Sequence, residues 1–321
     1  MEELLSATEA SAQDGTANGI KKQKPKRKFN RTYLFCWIGA GIPLLGFLLF
    51  SGFPLVVSIM AMFSDMEYNQ LDTMTWNNFA HFARMFTDSK LLQSLKVTVV
   101  LACAQFVSLA IALVIAGFLS QNVKGTRLFQ TLYFVPYICS TVAVSVMWNS
   151  IFGVEGVING IFGTSTQWLN NMENPSTLTI AIFISIVWQA PGYGIVMYCS
   201  AFKAISPSLY EAADLDGANA VQKFRYITLP GISSITFFLI LAGILAGLTT
   251  FDAAKIMAPP DWDGNAGLNN AGLTVMYYIY IEGVQFSNMG YASVMSWILF
   301  IIMMVPSVFL IKKRILEVED I

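Results

Sequence analysis

Residues 204–230 read AISPSLYEAADLDGANAVQKFRYITLP and form a polar connector between two apolar runs, at about 177–201 and 232–256. Each run has about the ~20 residues that a helix needs to cross a bilayer. The first run carries no charged residue, and the second carries only Asp252 and Lys255, near its end. We therefore expect the connector to join two membrane-spanning helices on one side of the membrane.

The connector itself has the signals of two short helices. Ser208 and Glu211 have the spacing of a capping box, which would begin the first helix. Gly217 can adopt the left-handed conformation that ends a helix. A second helix could then extend to Thr228, and Pro230 would turn the chain back into the membrane because it cannot donate a backbone hydrogen bond. These features predict an elbow of two short helices at an angle.

The elbow can be interpreted in two ways on its local chemistry alone. Ala212 and Ala213 offer a shallow face that another protein could approach closely, flanked by Glu211 and Asp214 for polar contacts. Alternatively, the segment is an ordinary amphipathic surface loop in which Glu211 only caps a helix. Local physics does not choose between a docking elbow and a surface loop.

The rest of the chain predicts an all-α polytopic membrane protein. Of 321 residues, 55% are hydrophobic and only 12% are charged, about half the charged fraction of an ordinary soluble domain. Long apolar runs therefore indicate membrane spans rather than a soluble core. We predict six transmembrane helices, at about 33–63, 95–119, 127–152, 177–201, 232–256 and 289–311.

Basic residues predict the orientation of these spans. Fifteen of the nineteen Lys and Arg residues lie in the N-terminal tail, two of the connectors and the C-terminal end. Positive charge marks the cytoplasmic side, so both termini and the 202–231 connector are expected in the cytoplasm. The expected domains are a basic disordered cytoplasmic tail (1–32), a six-helix membrane domain (33–311) and a short cytoplasmic C-terminal tail (312–321).

The sequence offers no enzyme site. It has no G-x-x-x-x-G-K phosphate-binding loop, so ATP would have to bind another chain. His81 is the single histidine, and its isolation argues against a metal site or a histidine proton relay. The four cysteines lie in apolar runs and are expected to be buried and inert. A net charge of −1 does not favour nucleic acid as a partner.

The connector resembles the EAA loop of binding-protein-dependent ABC permeases. That pattern is E-A-A, three residues, G, nine residues, then I-x-L-P, and every position is matched here. The resemblance implies a type I ABC importer permease fold with no catalytic site and no cofactor on this chain, with ATP and Mg bound by a partner ATPase. It implies that the contact with this ATPase is made by Tyr210, Glu211, Ala212, Ala213, Asp216, Gly217, Ile227, Leu229 and Pro230.

The flanks of the loop are similar to the carbohydrate branch of this family, the maltose-type and multiple-sugar-type permeases. Ile205, Pro207 and Phe224 belong to this extended pattern, as does Phe251-Asp252 in the fifth span. The resemblance implies a sugar or oligosaccharide substrate and a place in a bacterial cell membrane. The implied partners are a second, different EAA-type permease, two ATP-binding subunits and an extracytoplasmic solute-binding protein. The 257–264 segment departs from the family pattern, so the outer loop is reshaped.

Polar and aromatic residues within the spans are candidates for a substrate pathway. Sugars stack their CH faces on rings and need uncharged hydrogen-bonding groups for their hydroxyls. The candidates are Trp148, Asn149, Gln189, Tyr193, Thr250, Phe251 and Asp252. Each could instead be an interface aromatic or an amide that joins helices. Asp252 and Lys255, at spacing i, i+3, are expected to pair with each other.

Three other functions remain open on the sequence alone. The chain could be a permease of an ABC importer for another small solute. An ion-coupled secondary transporter would also fit six spans, but it predicts intramembrane carboxylates, and Asp252 alone qualifies. A membrane-embedded enzyme would need a catalytic constellation at membrane depth, and none is visible in the sequence.

Overall fold

A computed structural model describes residues 31–67, 70, 72, 74–121 and 124–319, with side chains described from 37 to 312 within those ranges. The predicted basic tail lies outside the described residues, apart from Arg31 and Thr32. The structure forms two compact units, residues 1–55 and 56–321. Its described part is mostly helical, so the predicted all-α class is confirmed.

The described chain begins with a long apolar helix, most of which belongs to the first unit. Helix α1 (Arg31–Phe47) continues through a π-helical turn (Leu48–Gly52) into α2 (Phe53–Ala61), which belongs to the first candidate span, Trp37–Ala61. Pro43 lies inside α1. Bulky apolar side chains are exposed on all sides, which is typical of a helix made to face lipid or another chain.

After α2, the second unit continues with a short hairpin. A two-stranded antiparallel hairpin pairs β1 (Ser64–Asp65) with β2 (Thr75–Trp76), with Ser64 opposite Trp76. The helices that follow are α3 (Ala80–Thr87), α4 (Ser89–Leu119), α5 (Thr126–Ile138), α6 (Thr141–Ile151), α7 (Val157–Phe162), α8 (Ser176–Gln189), α9 (Pro191–Ala204), α10 (Pro207–Leu215), α11 (Ala220–Lys223), α12 (Leu229–Gly231), α13 (Ser233–Leu248), α14 (Asp252–Met257), α15 (Val275–Tyr280) and α16 (Met289–Glu319).

Five stretches of the described chain are long and apolar enough to cross a membrane: Trp37–Ala61, Ser89–Leu119, Ser176–Ala204, Ser233–Met257 and Met289–Lys312. The predicted third span is not one straight helix, because α5 and α6 meet at 92°. Pro136 removes a helical donor, and Cys139 and Ser140 are extended, so the helical path breaks there. The described structure has six candidate spans only if α5 and α6 together cross the membrane as one bent span.

Helix α4 is the centre of the bundle and packs against α8, α9 and α13. Small residues let these helices approach closely. A Cβ added to Gly247 would lie 2.8 Å from the Ala102 Cα, and one added to Gly194 would lie 2.8 Å from the Ala112 Cβ. Gly243, four residues before Gly247, has its nearest neighbour at 3.7 Å. Only the second glycine of this G-x-x-x-G pair therefore sits in a tight helix contact.

A polar cluster around Asp88 joins four segments of the second unit. The Asp88 carboxylate caps α4 by accepting from two backbone N–H groups, and its other oxygen accepts from the hydroxyls of Tyr278 (2.7 Å) and Tyr291 (2.6 Å). Arg84 stacks over the Tyr291 ring and pairs with the buried Glu282 at 2.7 Å. This cluster links α3, α4 and α16 to the segment that contains α15.

The cysteines only partly match the expectation of buried thiols. Cys199 is buried as expected, but Cys103 and Cys139 are exposed on the surface of this chain, so the prediction of buried thiols is wrong for them. In a membrane span, an apolar position can face lipid or a partner as well as the core of its own chain. His81 is buried, and its Nε2 lies 3.2 Å from both the Ser64 carbonyl and the Asp65 carboxylate.

Candidate functional site

The connector forms the predicted elbow. Helix α10 (Pro207–Leu215) is its first arm, and α11 (Ala220–Lys223) is the start of the second. The backbone then passes through a π-helical turn (Phe224–Thr228) into α12 (Leu229–Gly231). The two helices expected from the local signals are therefore present.

The capping box lies elsewhere than predicted. Pro207 occupies the first turn of α10 with Ser206 as the N-cap, and Ser206 makes no side-chain cap. Ser208 therefore lies inside the helix, where its hydroxyl is 2.7 Å from that of Ser206. The capping box is at the second arm, where Asn219 and Gln222 bond each other's backbone N–H groups at 2.9 and 2.8 Å. Proline favours the first helical position, and that preference shifted the start.

Gly217 ends the first arm as predicted. Its φ is +71°, in the left-handed region. The Ala218 N–H bonds the Ala213 carbonyl at 2.9 Å and the Gly217 N–H bonds the Asp214 carbonyl at 3.1 Å. These two bonds form a Schellman motif, which satisfies carbonyls that the helix end would otherwise leave unpaired.

Pro230 does not turn the chain back into the membrane, contrary to the prediction. It lies in the first turn of α12, where a missing N–H does no harm. The wide π turn before it accommodates the helical path. The break comes at Ile232 (φ −96°, ψ 2°), directly before α13.

Three contacts hold the elbow in shape. The Tyr210 hydroxyl is 2.9 Å from the Thr228 hydroxyl, so it joins the two arms. Lys223 forms an ion pair with Asp214. At the base, a Cβ on Gly231 would lie 2.8 Å from the Ile205 side chain, so the entry and exit of the elbow are packed together.

The elbow exposes the predicted contact residues together with apolar side chains. Glu211, Ala212, Asp216, Gly217, Leu229 and Pro230 are exposed, whereas Tyr210, Ala213 and Ile227 are half-buried. Leu215 (90% exposed), Val221 and Tyr226 also face outwards, and sequence reasoning missed them. Their signal was present as apolar residues in an otherwise polar connector. Exposed apolar groups on a stiff turn are typical of a surface that another protein covers.

A cavity of about 350 Å³ lies in the helical bundle of the second unit. It is lined by five of the seven predicted pathway residues, Gln189, Tyr193, Thr250, Phe251 and Asp252. The wall also contains polar and aromatic residues that sequence reasoning missed, namely Gln105, Ser108, Tyr137 and Thr141. Two features of the sequence could have indicated these residues. Gln105 and Ser108 are polar residues three positions apart within an apolar run, and Tyr137 lies beside Pro136.

The cavity lies where helices are interrupted. The Gln189 amide donates to the Cys139 carbonyl at the α5–α6 break, over 3.3 Å. The Thr250 carbonyl, between α13 and α14, accepts from the Thr274 hydroxyl at 2.7 Å. Non-helical backbone at membrane depth is tolerated where it lines a cavity or is buried in protein. The Tyr193 ring stacks on Tyr137 with centroids 5.4 Å apart, which makes an aromatic wall.

Two predicted pathway residues lie elsewhere. Trp148 is buried in the core, stacked on Phe152 at 5.3 Å and edge-on to Trp188. The Asn149 amide donates to the Ile256 carbonyl at 3.0 Å, near the end of α14. Trp148 and Asn149 therefore make contacts within the protein and are not among the residues that line the cavity.

The expected pair of Asp252 with Lys255 does not form within 4.0 Å in the described structure. The Lys255 ammonium instead lies 4.0 Å above the centre of the Tyr280 ring and 5.4 Å from that of Phe251. This cation–π contact competes with the helical i, i+3 pairing. Asp252 is left exposed at the cavity wall.

Comparison with known proteins identifies the family. Residues 108–312 match the family described as binding-protein-dependent transport system inner membrane component. The chain is 33% identical over 302 residues to the probable ABC transporter permease protein YesP of Bacillus subtilis (strain 168), covering 92% of this chain and 96% of that one. It is 28% identical to the arabinooligosaccharides transport system permease protein AraP of the same organism, covering 84% and 85% of the two chains.

The fold has a solved counterpart. A chain from the crystal structure of a bacterial ABC transporter involved in the import of the acidic polysaccharide alginate superposes with a TM-score of 0.73. The identity is 20%, and the match covers 88% of this chain and 96% of that chain. The predicted importer permease fold is therefore confirmed.

The chain belongs to the family of inner membrane components of binding-protein-dependent transport systems. The resemblance stated from the elbow is thus confirmed, and the chain is a transport component of a cell membrane rather than an enzyme. The same membership decides against the ion-coupled carrier.

Proposed function

We propose that this chain is one permease subunit of an ATP-driven importer of sugars or oligosaccharides. It forms half of the translocation pathway with a second EAA-type permease. Two ATPase subunits bind ATP and Mg, and an extracytoplasmic binding protein delivers the sugar. The observation that carries this proposal is that one chain contains both a stiff elbow and a cavity, connected by the two helices that flank the elbow. The name of its relative AraP supports the substrate class.

The cavity has the chemistry that a neutral sugar needs. The stacked Tyr137 and Tyr193, with Phe251, offer ring faces for CH groups. Gln189 and Thr250 supply uncharged hydrogen-bonding groups. A cavity of about 350 Å³ is within the range of small-molecule sites. Because it carries a single charged side chain, Asp252, it would bind sugar weakly enough to release it.

Movement of the elbow would reach the cavity through rigid helices. Helix α9 extends from Ala204, beside the elbow, to Tyr193 at the cavity, a path of about 17 Å at 1.5 Å per residue. Helix α13 begins at Ser233, beyond the elbow, and its other end borders the cavity. A tilt imposed on the elbow by the ATPase would therefore displace both walls.

The proposed orientation puts the elbow and both termini in the cytoplasm. In a cysteine-free background with Ser208→Cys, an impermeant thiol reagent should label the protein in inside-out vesicles and not in intact cells. A cysteine at Met172, an exposed residue between α7 and α8, serves as the outward-facing control. Labelling of the Ser208→Cys protein from outside intact cells would reverse the orientation.

The substrate class is tested by uptake of labelled sugars, amino acids and peptides. We expect sugar uptake in wild type and a half-saturating concentration about two- to tenfold higher in Phe251→Ala, because a ring contact contributes about 0.5–1.5 kcal/mol. Gln189→Leu should reduce uptake too, but it also removes the bond to Cys139, so the amount of assembled complex must be measured beside it.

Ile184→Ala is the matched control, since Ile184 lies on α8 and does not line the cavity. Uptake of an amino acid or peptide instead of a sugar would contradict the substrate class. Unchanged sugar uptake in both cavity variants would place the pathway elsewhere.

A further inference from the structure

The reshaped outer loop after α14 is a hydrogen-bonded turn. The Asp261 carboxylate accepts from the backbone N–H groups of Asp263 (3.0 Å) and Asn265 (2.8 Å), and from the Asn265 amide (2.9 Å). The Asp261 N–H also bonds the Asn265 carbonyl at 3.0 Å. Hydrogen bonds from the Asn265 side chain and backbone lower the pKa of Asp261, so the carboxylate stays ionised.

The turn is also fixed to the body of its unit. Gly264 has φ +70°, and a Cβ there would lie 2.7 Å from the side chains of both Ile281 and Phe286. Only glycine fits that close approach without displacing them. On the other side, the Lys90 ammonium donates to the Asp263 carbonyl at 2.7 Å. The turn is therefore held in one conformation before any partner arrives.

At the tip of this turn, Trp262 is 98% exposed. Because the backbone beneath the ring is already fixed, a partner that buries the ring has only the two side-chain torsions to order. Tryptophan is also the residue type most enriched among interface residues that dominate binding energy. A fully exposed tryptophan on a preorganised turn is thus suited to anchor another protein.

The proposed orientation gives this face a negative charge. The three outer segments, 64–90, 152–176 and 258–288, hold nine carboxylates and two basic residues, a net charge of −7. The carboxylates are Asp65, Glu67, Asp72, Asp88, Glu155, Glu173, Asp261, Asp263 and Glu282, and the basic residues are Arg84 and Lys90. Such a field attracts a positively charged partner over a distance and orients it.

We infer that the 259–265 turn, with Trp262 at its tip, is a docking anchor for the soluble binding protein, which meets it with a positively charged face and a pocket for the indole. This inference rests on the proposed function and orientation. Asp261 and Asp263 flank the ring, and burial of these charges in lipid would be costly, so a membrane-interface role for Trp262 fits poorly.

The test uses the assembled complex in lipid nanodiscs, titrated with the purified, sugar-loaded binding protein that supports its transport. In Trp262→Ala, the concentration of the purified, sugar-loaded binding protein that half-maximally stimulates ATP hydrolysis should rise tenfold or more, as expected for loss of an interface anchor of about 1.4 kcal/mol or more. Basal hydrolysis should not change. Phe86→Ala removes another exposed outer ring and should shift the value less than about twofold.

Charge is tested separately. Asp263→Lys should leave the turn intact, because the Asp263 carboxylate accepts none of the turn's described hydrogen bonds. It weakens the attraction between this face and a positively charged partner. The half-stimulating concentration should therefore rise, and its dependence on salt should fall. Equal values for wild type and Trp262→Ala would overturn the anchor while leaving the proposed function intact. No stimulation of the wild-type complex would overturn both.

A photo-crosslinking residue in place of Trp262 identifies what covers the tip. Crosslinks to the binding protein support the inference. Crosslinks mainly to lipid or to the partner permease would overturn it.

Discussion

A Gly217→Val variant is expected to assemble in the membrane but to lose transport and the stimulation of ATP hydrolysis by loaded binding protein. Gly217 has φ +71°, where a β-branched residue is strained by about 1–2 kcal/mol or more. No atom lies within 4 Å of a Cβ at this position, so the strain is in the backbone rather than in packing. Relief of the strain would open the Schellman motif and change the angle of the elbow.

The matched control is Gly163→Val. Gly163 has φ +62°, ends helix α7 and also has open space around it, but it lies outside the elbow. A valine at position 163 imposes similar backbone strain but leaves the elbow unchanged. Gly217→Asn should retain much of the activity because asparagine tolerates the left-handed region. Equal losses in Gly163→Val and Gly217→Val, or wild-type stimulation in Gly217→Val, would remove the coupling role.

Asp88→Ala is expected to reduce stability by about 3–7 kcal/mol. It removes the cap of α4, worth about 1 kcal/mol, and leaves the hydroxyls of Tyr278 and Tyr291 without their acceptor, at about 1–3 kcal/mol each. Asp88→Asn should lose less, because the amide oxygen can still cap the helix. Thermal unfolding of the purified complex measures both, and a loss below about 1 kcal/mol in Asp88→Ala would show that the cluster contributes little.

The same carboxylate predicts a pH dependence. Burial by itself would raise the pKa of Asp88, but hydrogen bonds from Tyr291, Tyr278 and the Leu91 and Lys90 N–H groups outweigh it, so the pKa is lowered from 3.8. A lowered folded-state pKa stabilises the fold above the unfolded-state value, and that contribution disappears as the pH falls through the folded-state value. Wild type should therefore lose this stabilisation below about pH 4. Asp88→Asn should lack that part of the dependence.

Local signals in the sequence predicted the elbow well because its parts depend on near neighbours. The left-handed glycine at 217 is set by a helix end and a few backbone hydrogen bonds. The same local reasoning misplaced the start of the first arm, because Ser206 and Ser208 offer competing N-caps two residues apart. It also missed the π turn that lets Pro230 remain in a helical path, a feature that depends on how two arms fit together.

The cavity was predictable in type but not in membership. Uncharged polar and aromatic residues in spans pointed to Gln189, Tyr193 and Thr250. Whether a given ring lines a cavity or packs in the core depends on helix rotation and on breaks, which are long-range properties. The rotation of its helix places Trp148 in the core, which the sequence alone could not predict. Lys255 was paired with Asp252 on helical spacing, but Tyr280, which is distant in sequence, supplied a competing partner.

The central claim is tested most directly by transport in proteoliposomes that contain this chain, its partner permease and the ATPase. The account predicts that labelled oligosaccharide crosses the membrane only when ATP is present on the ATPase side and loaded binding protein on the other, and that a catalytically inactive ATPase abolishes transport. Transport driven by an ion gradient without ATP, or transport that does not need the binding protein, would contradict it.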